Sequence, residues 1–343
     1  MENNEKIRLT GYIDNSGKIA YIKNHINKYN LLKNMFVGET NKITSVKIFF
    51  DFWISVLVFG SGINDYFQYN FFKRSYKDRE KFIVGRKWLK IINKCNGSTK
   101  IDLFDDKLKF NYKFKDYLRR DWLDVDKSNF DDFNNFVKKH KTFFLKKNVG
   151  SGGNGISKYY SKDIEDSSGF YDNLKGENYI LEESIIQLKS LKEFNPSSVN
   201  TIRVVTIRNN EKIYIMDCVL RMGNGDRSTD NFHQHGLAMK VDPKTGEVVT
   251  EAIDKSNNRY VEHPKSHKKL LGYKIPYWSN VIDTVNKAAL EIENVRYVGW
   301  DVAILENGQA SIIEGNCSAD PDITQMPDQI GKWDKYKEVI DKL

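Results

Sequence analysis

Three oxygen-bearing side chains toward the C-terminal end, Asp301, Glu314 and Asn316, are spaced so that a β-hairpin would gather them. Between them Asn307 and Gly308 form the dipeptide favoured in a two-residue type I′ turn, whose central residues both take positive φ. Such a turn sets Glu306 opposite Gln309, Leu305 opposite Ala310 and, stepping outward, Asp301 opposite Glu314. Asn316 then shares a face with Glu314, and Gly299 across from it leaves room. Opposed carboxylates repel unless a positive charge sits between them. Two carboxylates and an amide offer only oxygen, which suits a hard cation such as Mg²⁺, with Mn²⁺ as an alternative. The plainer reading is an exposed face of solvated acids. Against it stand the apolar residues that alternate with the acidic ones and Trp300 beside Asp301.

A second group of residues suits phosphate. TFFLKK, residues 142–147, reads as a short apolar strand that ends in lysines and runs into NVGSGGNGI. Glycines at 150, 152, 153 and 155 let the backbone approach a ligand, so that successive N–H groups cradle phosphate oxygens while a strand lysine adds a point charge. The loop fits neither the Walker pattern nor a dinucleotide fingerprint, and a flexible surface loop is its alternative. NYILEESIIQ reads as a strand whose apolar run could lie against a purine ring and whose polar end is Glu182 and Glu183. Arg203 interrupts the apolar strand residues Ile202, Val204 and Val205, and Arg221 closes the next strand. An arginine among strand residues needs an anion, either a ligand gripped through two parallel bonds or a rim salt bridge.

The elements that must position these residues follow from periodicity. SSVNTIRVVTI and IYIMDCVLRMG read as a hairpin across NNEK, and SNVIDTVNKAALEIEN as an amphipathic helix with Val281, Val285, Ala288 and Ile292 inward. SNFDDFNNFVKK places Phe130, Phe133, Phe136 and Val137 on one helical face, with Ser128 and Asp131 spaced as a capping box. KWDKYKEVIDKL closes the chain as a helix. Residues 1–100 read as a mostly helical, aromatic-rich region, with CNGST as the break after it; 101–185 would carry the glycine loop and acidic strand, and 186–343 the arginines and the hairpin. GNGDRSTDNFHQHG is a polar loop too long for a turn. Its His233 and His235 lack a third metal-ligating partner at useful spacing and suit substrate contact or plain loop positions.

Composition bounds the function. Of 343 residues, 40% are hydrophobic and 29% charged, as in folded globular proteins. A net charge of +8 favours anionic ligands. The lysines are dispersed and no ordered aromatic motif accompanies them, which argues against nucleic acid. Cys95, Cys218 and Cys317 lie far apart and form no disulfide framework or C-x-x-C pair, consistent with a reducing cytoplasm. MENNEKIRLT lacks the apolar segment of a signal peptide. The strongest apolar run, Ile48 to Phe59, contains Asp51 and is too short to span a bilayer, which takes about 20 residues. It reads as a buried helix, with peripheral membrane contact as the alternative.

DKLKF, RDWL, FFLKKNVGSGGNGI, LEESIIQ, SSVNTIRVV, LRMG, DNFHQHGLAMKVD, HPKSHKKLLGYKIPYW and the GWD to EGN hairpin occur here in an order that resembles the sugar-transfer associated ATP-grasp family. The earlier DYFQYNFF stretch resembles it too, so the likeness covers most of the chain. The resemblance implies an α+β ATP-grasp fold in which two α+β subdomains clasp ATP, behind a mostly helical N-terminal region. It implies Lys146 as the ATP-phosphate lysine with Lys107 as a second, Gly152, Gly153 and Gly155 as the phosphate-covering loop, and Glu182 and Glu183 as the adenine hinge. Arg203 and Arg221 would neutralise the transferred phosphoryl or a substrate carboxylate, and Asp301, Glu314 and Asn316 would hold Mg²⁺. Asn200, Arg203, Asn231 and His233 would meet the substrate. Lys147, where the family often has proline, HQHG, and the GNCSADPD ending depart from its pattern and bear on the acceptor pocket. The activity implied is an ATP-dependent carboxylate-amine ligase making an amide through an acyl-phosphate, acting on a sugar acid or amino acid in surface polysaccharide or related biosynthesis. A kinase phosphorylating a small-molecule hydroxyl and a non-catalytic nucleotide-binding protein are the alternatives.

Overall fold

The computed structural model describes residues 18–97, 102–150, 155–225, 232 and 236–343, with the side chains of 18–21 left aside. Helices α1 (Lys18–Val37) and α2 (Lys42–Phe59) open the described chain. Asn41 caps α2 by accepting from the Thr44 N–H, and Gly60, at φ 71°, closes it in the left-handed conformation that favours glycine. The aromatic density of this region forms a core: Tyr29, Phe52, Tyr66, Phe67 and Phe71 are buried together and pack on Val219, Ala238 and Ile253. Asp51, the charge inside the apolar run, is matched by Arg79 through two 2.9 Å bonds and by the Tyr66 hydroxyl at 2.6 Å.

A four-stranded antiparallel sheet follows, built from β1 (Trp122–Asp124), β2 (Thr142–Lys147), β3 (Ile156–Tyr160) and β4 (Tyr179–Glu183) in the order β1-β4-β2-β3. The helix Phe130–Lys139 covers it, burying Phe133, Phe136 and Val137 against Phe143, Leu145 and Leu181. Its capping box lies one residue beyond the expected Ser128 and Asp131. Asn129 accepts from the Asp132 N–H at 2.8 Å, because the Ser128 hydroxyl is engaged by the Val125 carbonyl in the preceding turn.

The second sheet holds β5 (Thr201–Asn209), β6 (Lys212–Met222), β7 (Leu237–Val241), β8 (Ala252–Ile253), β9 (Arg259–Tyr260), β10 (Tyr297–Ile304) and β11 (Ala310–Asn316). Its order is β11-β10-β5-β6-β7-β8-β9, with every pair antiparallel. One face packs on the helix Trp278–Leu290 through Val281, Val285 and Ala288, with Trp300 at the centre. The other meets the N-terminal helices and the closing helix Trp333–Ile340.

The hairpin reaches the expected outcome by a different route. Only Gly308 of the turn dipeptide takes positive φ, at 81°, and its N–H donates to the Leu305 carbonyl at 2.9 Å. The turn is therefore not type I′. Ile304 pairs with Ala310, which corrects the expected pairing of Leu305 with Ala310 by one residue. A β-bulge between the Asp301 and Val302 pairs moves the register back, because Ile313 on β11 is an extra residue there. Asp301 consequently faces Glu314, and Gly299 faces Asn316.

Candidate functional site

The register of three strands puts four charges on one face of the large sheet. Arg203 on β5 is the cross-strand partner of Asp301 on β10, Asp301 of Glu314 on β11, and Arg221 on β6 lies one pleat along from Arg203. The Arg203 guanidinium grips Asp301 through Nε to Oδ1 at 2.5 Å and Nη2 to Oδ2 at 2.9 Å, and Arg221 Nη1 reaches Oδ2 at 2.6 Å. The positive charge that a buried Asp301 requires is thus supplied by arginine. Asp301 is 3% exposed, which rules out a solvated hairpin face at this position. Burial alone would raise its carboxyl, but Arg203 and then Arg221 outweigh it and hold the group well below the usual range. Glu314 behaves oppositely. Burial first, then the Asp301 charge, pushes its carboxyl up to about 7. Glu314 is nevertheless exposed to solvent, which tempers the effect of burial and leaves the Asp301 charge as the direct cause of the rise.

Glu314 and Asn316 are the open members of the donor set and suit a hard divalent cation, whereas both oxygens of Asp301 are engaged by Arg203 and Arg221. Glu314 and Asn316 are exposed on the same face, all donors are oxygen, and a carboxyl held near 7 beside an ionised one is the state a cation would relieve. Asn316 Oδ1 accepts from the Ser318 N–H at 2.8 Å, which fixes the amide's direction. The room expected over Gly299 is already filled: a Cβ there would lie 2.6 Å from Ala319 Cβ and 3.1 Å from Arg203 Cδ. Gly299 admits the arginine, not the ion.

The two lysines expected at phosphate lie on different elements, Lys146 on the small sheet and Lys107 on a helix whose Phe110 packs in the core of the large sheet. Lys146 on β2 points Nζ to Glu182 Oε2 at 2.7 Å, and Lys107, at the start of the helix Lys107–Lys113, donates to the carbonyls of Asn148 and Gly150 at 3.2 and 2.8 Å. Burial and then the Lys146 charge lower Lys107 below the ordinary lysine range, with Glu314 and Glu182 opposing the shift. Lys107 is therefore close enough to Lys146, Glu314 and Glu182 to feel their charges. Gly155 takes φ 74° and its carbonyl accepts from the Lys147 N–H at 3.0 Å, closing the base of the loop. Gly152 and Gly153 lie outside the described residues.

Glu182 and Glu183 lie at the end of β4 as expected, but neither offers a free carboxylate there. Glu182 is 3% exposed and accepts from Lys146, from Arg120 Nε at 3.0 Å and from Asn111 Nδ2 at 3.2 Å. Burial raises its carboxyl, yet Arg120 and Lys146 prevail and hold it well below the normal range. Glu183 Oε2 accepts from the Asp121 N–H at 3.0 Å, and its Oε1 lies 3.6 Å from His140 Nδ1. Glu182 is thus held inside the fold, while the Glu183 side chain stays about a third exposed at the end of the strand. Asp121, His140 and Glu183 are close enough to share an ion, but the Lys139 ammonium already pairs with Asp121. Beside this hinge a recess of about 320 Å³ is lined by Arg120, Glu183, Ser184, Ile185, Ile186 and Leu305. A larger one, about 420 Å³, is lined by Arg120, Asp121, Trp122, Asp132, Asn135 and Lys139.

Arg120 went unassigned in the sequence and is the main residue missed. Besides Glu182 it donates to the carbonyls of Ile312 at 2.7 Å and Ile313 at 3.3 Å, so one guanidinium ties the small sheet to the bulge in β11. The only signal was its place in RDWL, directly before β1. Asn200, expected at the substrate, is wholly buried and donates to Gln187 Oε1 at 3.3 Å and the Leu191 carbonyl at 2.8 Å. Its amide is directed into the fold, so direct substrate contact is corrected to a supporting position. Asn231 and His233 lie outside the described residues.

A model of the sugar-transfer associated ATP-grasp family matches residues 89–340, and the chain belongs to that family. The two sheets are accordingly the subdomains of an ATP-grasp fold. Among solved structures the chain is similar to the ATP-grasp ligase PsnB complexed with minimal precursor, at 13% identity and TM-score 0.45, over 73% of this chain and 64% of that one. It is also similar to biotin carboxylase from Campylobacter jejuni, at 14% identity and TM-score 0.45, over 71% and 47%. A third is N5-carboxyaminoimidazole synthetase from Staphylococcus aureus, at 13% identity and TM-score 0.41, over 65% and 47%. The chain spans less than two thirds of the length of each. No curated protein matches it.

Proposed function

We propose, from membership of the sugar-transfer associated ATP-grasp family, that the chain is an ATP-dependent carboxylate-amine ligase. The observation that supports the reading is the Arg203, Asp301, Arg221 cluster beside the exposed Glu314, with Lys107 near enough to Glu314 and Lys146 to feel their charges. Asp301, Glu314 and Asn316 would hold Mg²⁺, which when bound neutralises phosphate charge. Lys146 and Lys107 would bind the phosphates, and Gly155 would shape the loop over them. The end of β4, with Glu182 and Glu183 holding its position, would meet adenine.

In this reading a substrate carboxylate oxygen attacks the γ-phosphorus, ADP leaves, and an amine then displaces phosphate from the acyl-phosphate while losing its proton. Arg221 and Arg203 would neutralise the developing charge, so that much of the catalysis would be electrostatic positioning. The division that goes with it is a helical region at 1–100, an N-subdomain at 101–185 and a C-subdomain at 186–343. The substrates belong to the class of sugar acids or amino acids used in surface polysaccharide or related biosynthesis. A kinase transferring the phosphoryl group directly to a small-molecule hydroxyl is the second reading, since the same nucleotide-binding residues would serve it.

The test is ADP release from Mg-ATP across a panel of sugar acids, amino acids and amines, comparing the native protein with Glu314→Gln. Release that needs both an acid and an amine, and that the substitution abolishes, supports the ligase. Release in the substituted protein equal to the native would overturn the metal assignment.

A further inference from the structure

We propose that the outer face of α2 is a docking surface for anionic lipid membranes. The helix is apolar on both sides. Ile48 and Phe52 face inward to the aromatic core, while Ile43, Val46, Phe50, Trp53, Ile54 and Leu57 face outward, with Phe50 62% and Leu57 69% exposed. Their spacing, mostly of three and four, places them along one stripe about 21 Å long on an 18-residue helix. Sequence alone assigned this run to the interior, and only its inner half is there. A contiguous apolar stripe of this length is an interaction surface, not scattered surface hydrophobicity.

Charge selects the occupant. Lys42 and Lys47 lie exposed beside the stripe, Lys23 is exposed on α1, and Arg86 sits at the far end with Nη2 on the Leu57 carbonyl at 2.8 Å. No ion pair among the described residues holds Lys23, Lys42 or Lys47. Between residues 18 and 63 the only acids are Glu39 and Asp51, and Asp51 is engaged by Arg79. A second copy of the chain would bring cationic rims of the same sign together, whereas anionic headgroups complement them. An apolar face carrying Trp and Phe, flanked by lysines, lies in the plane of a membrane interface. Lying in plane is also the mode open to it, since no described helix is long and apolar enough to cross. The inference is independent of the ligase reading.

The experiment is sedimentation of the full chain with vesicles of phosphatidylcholine alone and of phosphatidylcholine mixed with phosphatidylglycerol. Binding to the mixed vesicles is expected, weakened at least about tenfold by the double substitution Phe50→Asp with Leu57→Asp, and weakened on the mixed vesicles alone by Lys42→Glu with Lys47→Glu. All four side chains are outside the nucleotide site, so ATP turnover without vesicles should match the native protein and certify the fold. Absence of vesicle binding by the native chain overturns the proposal. So does sedimentation velocity showing a dimer that the aspartates dissociate while vesicle binding is unchanged, which would assign the face to a second copy.

Discussion

Arg203 and Asp301 are direct neighbours on adjacent antiparallel strands and close on one another through two charge-assisted hydrogen bonds, at 2.5 and 2.9 Å. The pair lies 98 residues apart in the chain and is almost wholly enclosed. Replacing Arg203 with lysine keeps the charge but loses the parallel fork. Turnover should fall about 100-fold, by analogy with loss of one preorganised donor. Arg203→Ala should also lower stability by about 3 kcal/mol, since it leaves a buried carboxylate with one partner fewer. ADP release and denaturant melts read the two effects separately.

Glu314 should make cation binding depend on pH near neutrality. Its carboxyl is raised to about 7 from an ordinary 4.5, so the folded state holds a proton that the unfolded chain releases in that window. The contribution to stability is full below 4.5 and is lost as pH rises through about 7. A divalent cation must displace that proton, so Mg²⁺ affinity should climb with pH and level off above 7. Titration calorimetry at several pH values checks this, and Glu314→Gln should flatten the profile. Asp65 is also raised to about 7, by burial first, and supplies a control because its substitution should alter the stability profile without altering Mg²⁺ binding.

Glu182→Gln should damage both subdomains at once. The carboxylate holds Lys146 and Arg120, and removing its charge leaves two buried cations short of a partner, at a cost of about 3–5 kcal/mol. Because the folded carboxyl is held low, that stabilisation is present above the ordinary value of 4.5 and fades only as pH falls below it. Thermal melts at neutral and acid pH should show the substitution's effect shrinking in acid, together with weaker ATP binding at neutral pH.

Gly299→Ala tests the close approach over β10. The added methyl would meet Ala319 Cβ at 2.6 Å, which no flexible side chain can absorb, and would press on Arg203. A loss of about 1–3 kcal/mol is expected, with a larger relative fall in turnover than Lys244→Ala, on an exposed turn, would give. Melting and ADP release on the two variants decide it.

The strands and the long helices were legible because period-two and period-3.6 patterns survive in single stretches: TFFLKK is β2 residue for residue. The opposition of Asp301 and Glu314 was also legible, though by compensation, since the turn holds one residue more than a type I′ turn and the bulge at Ile313 cancels the shift. What no local pattern contains is strand order. β10 lies between β5 and β11, so Arg203 meets Asp301 through a pairing far apart in sequence, and the positive charge beside Asp301 was assigned to a cation before the arginine. Arg120 was unreadable for the same reason, as its partners lie 62 and about 190 residues away. Asn200 and the acids of β4 had the right types in the right stretches, but side-chain direction at a strand end is set by tertiary neighbours such as Gln187, His140 and Arg120.

The most direct measurement follows oxygen. With a carboxylate substrate that supports ADP release, labelled with ¹⁸O in its carboxyl group, the label should appear in the released phosphate, because acyl-phosphate formation carries one carboxyl oxygen to phosphorus. Unlabelled phosphate, or a stable phosphorylated product without amide, would contradict the ligase account and leave the kinase reading in its place.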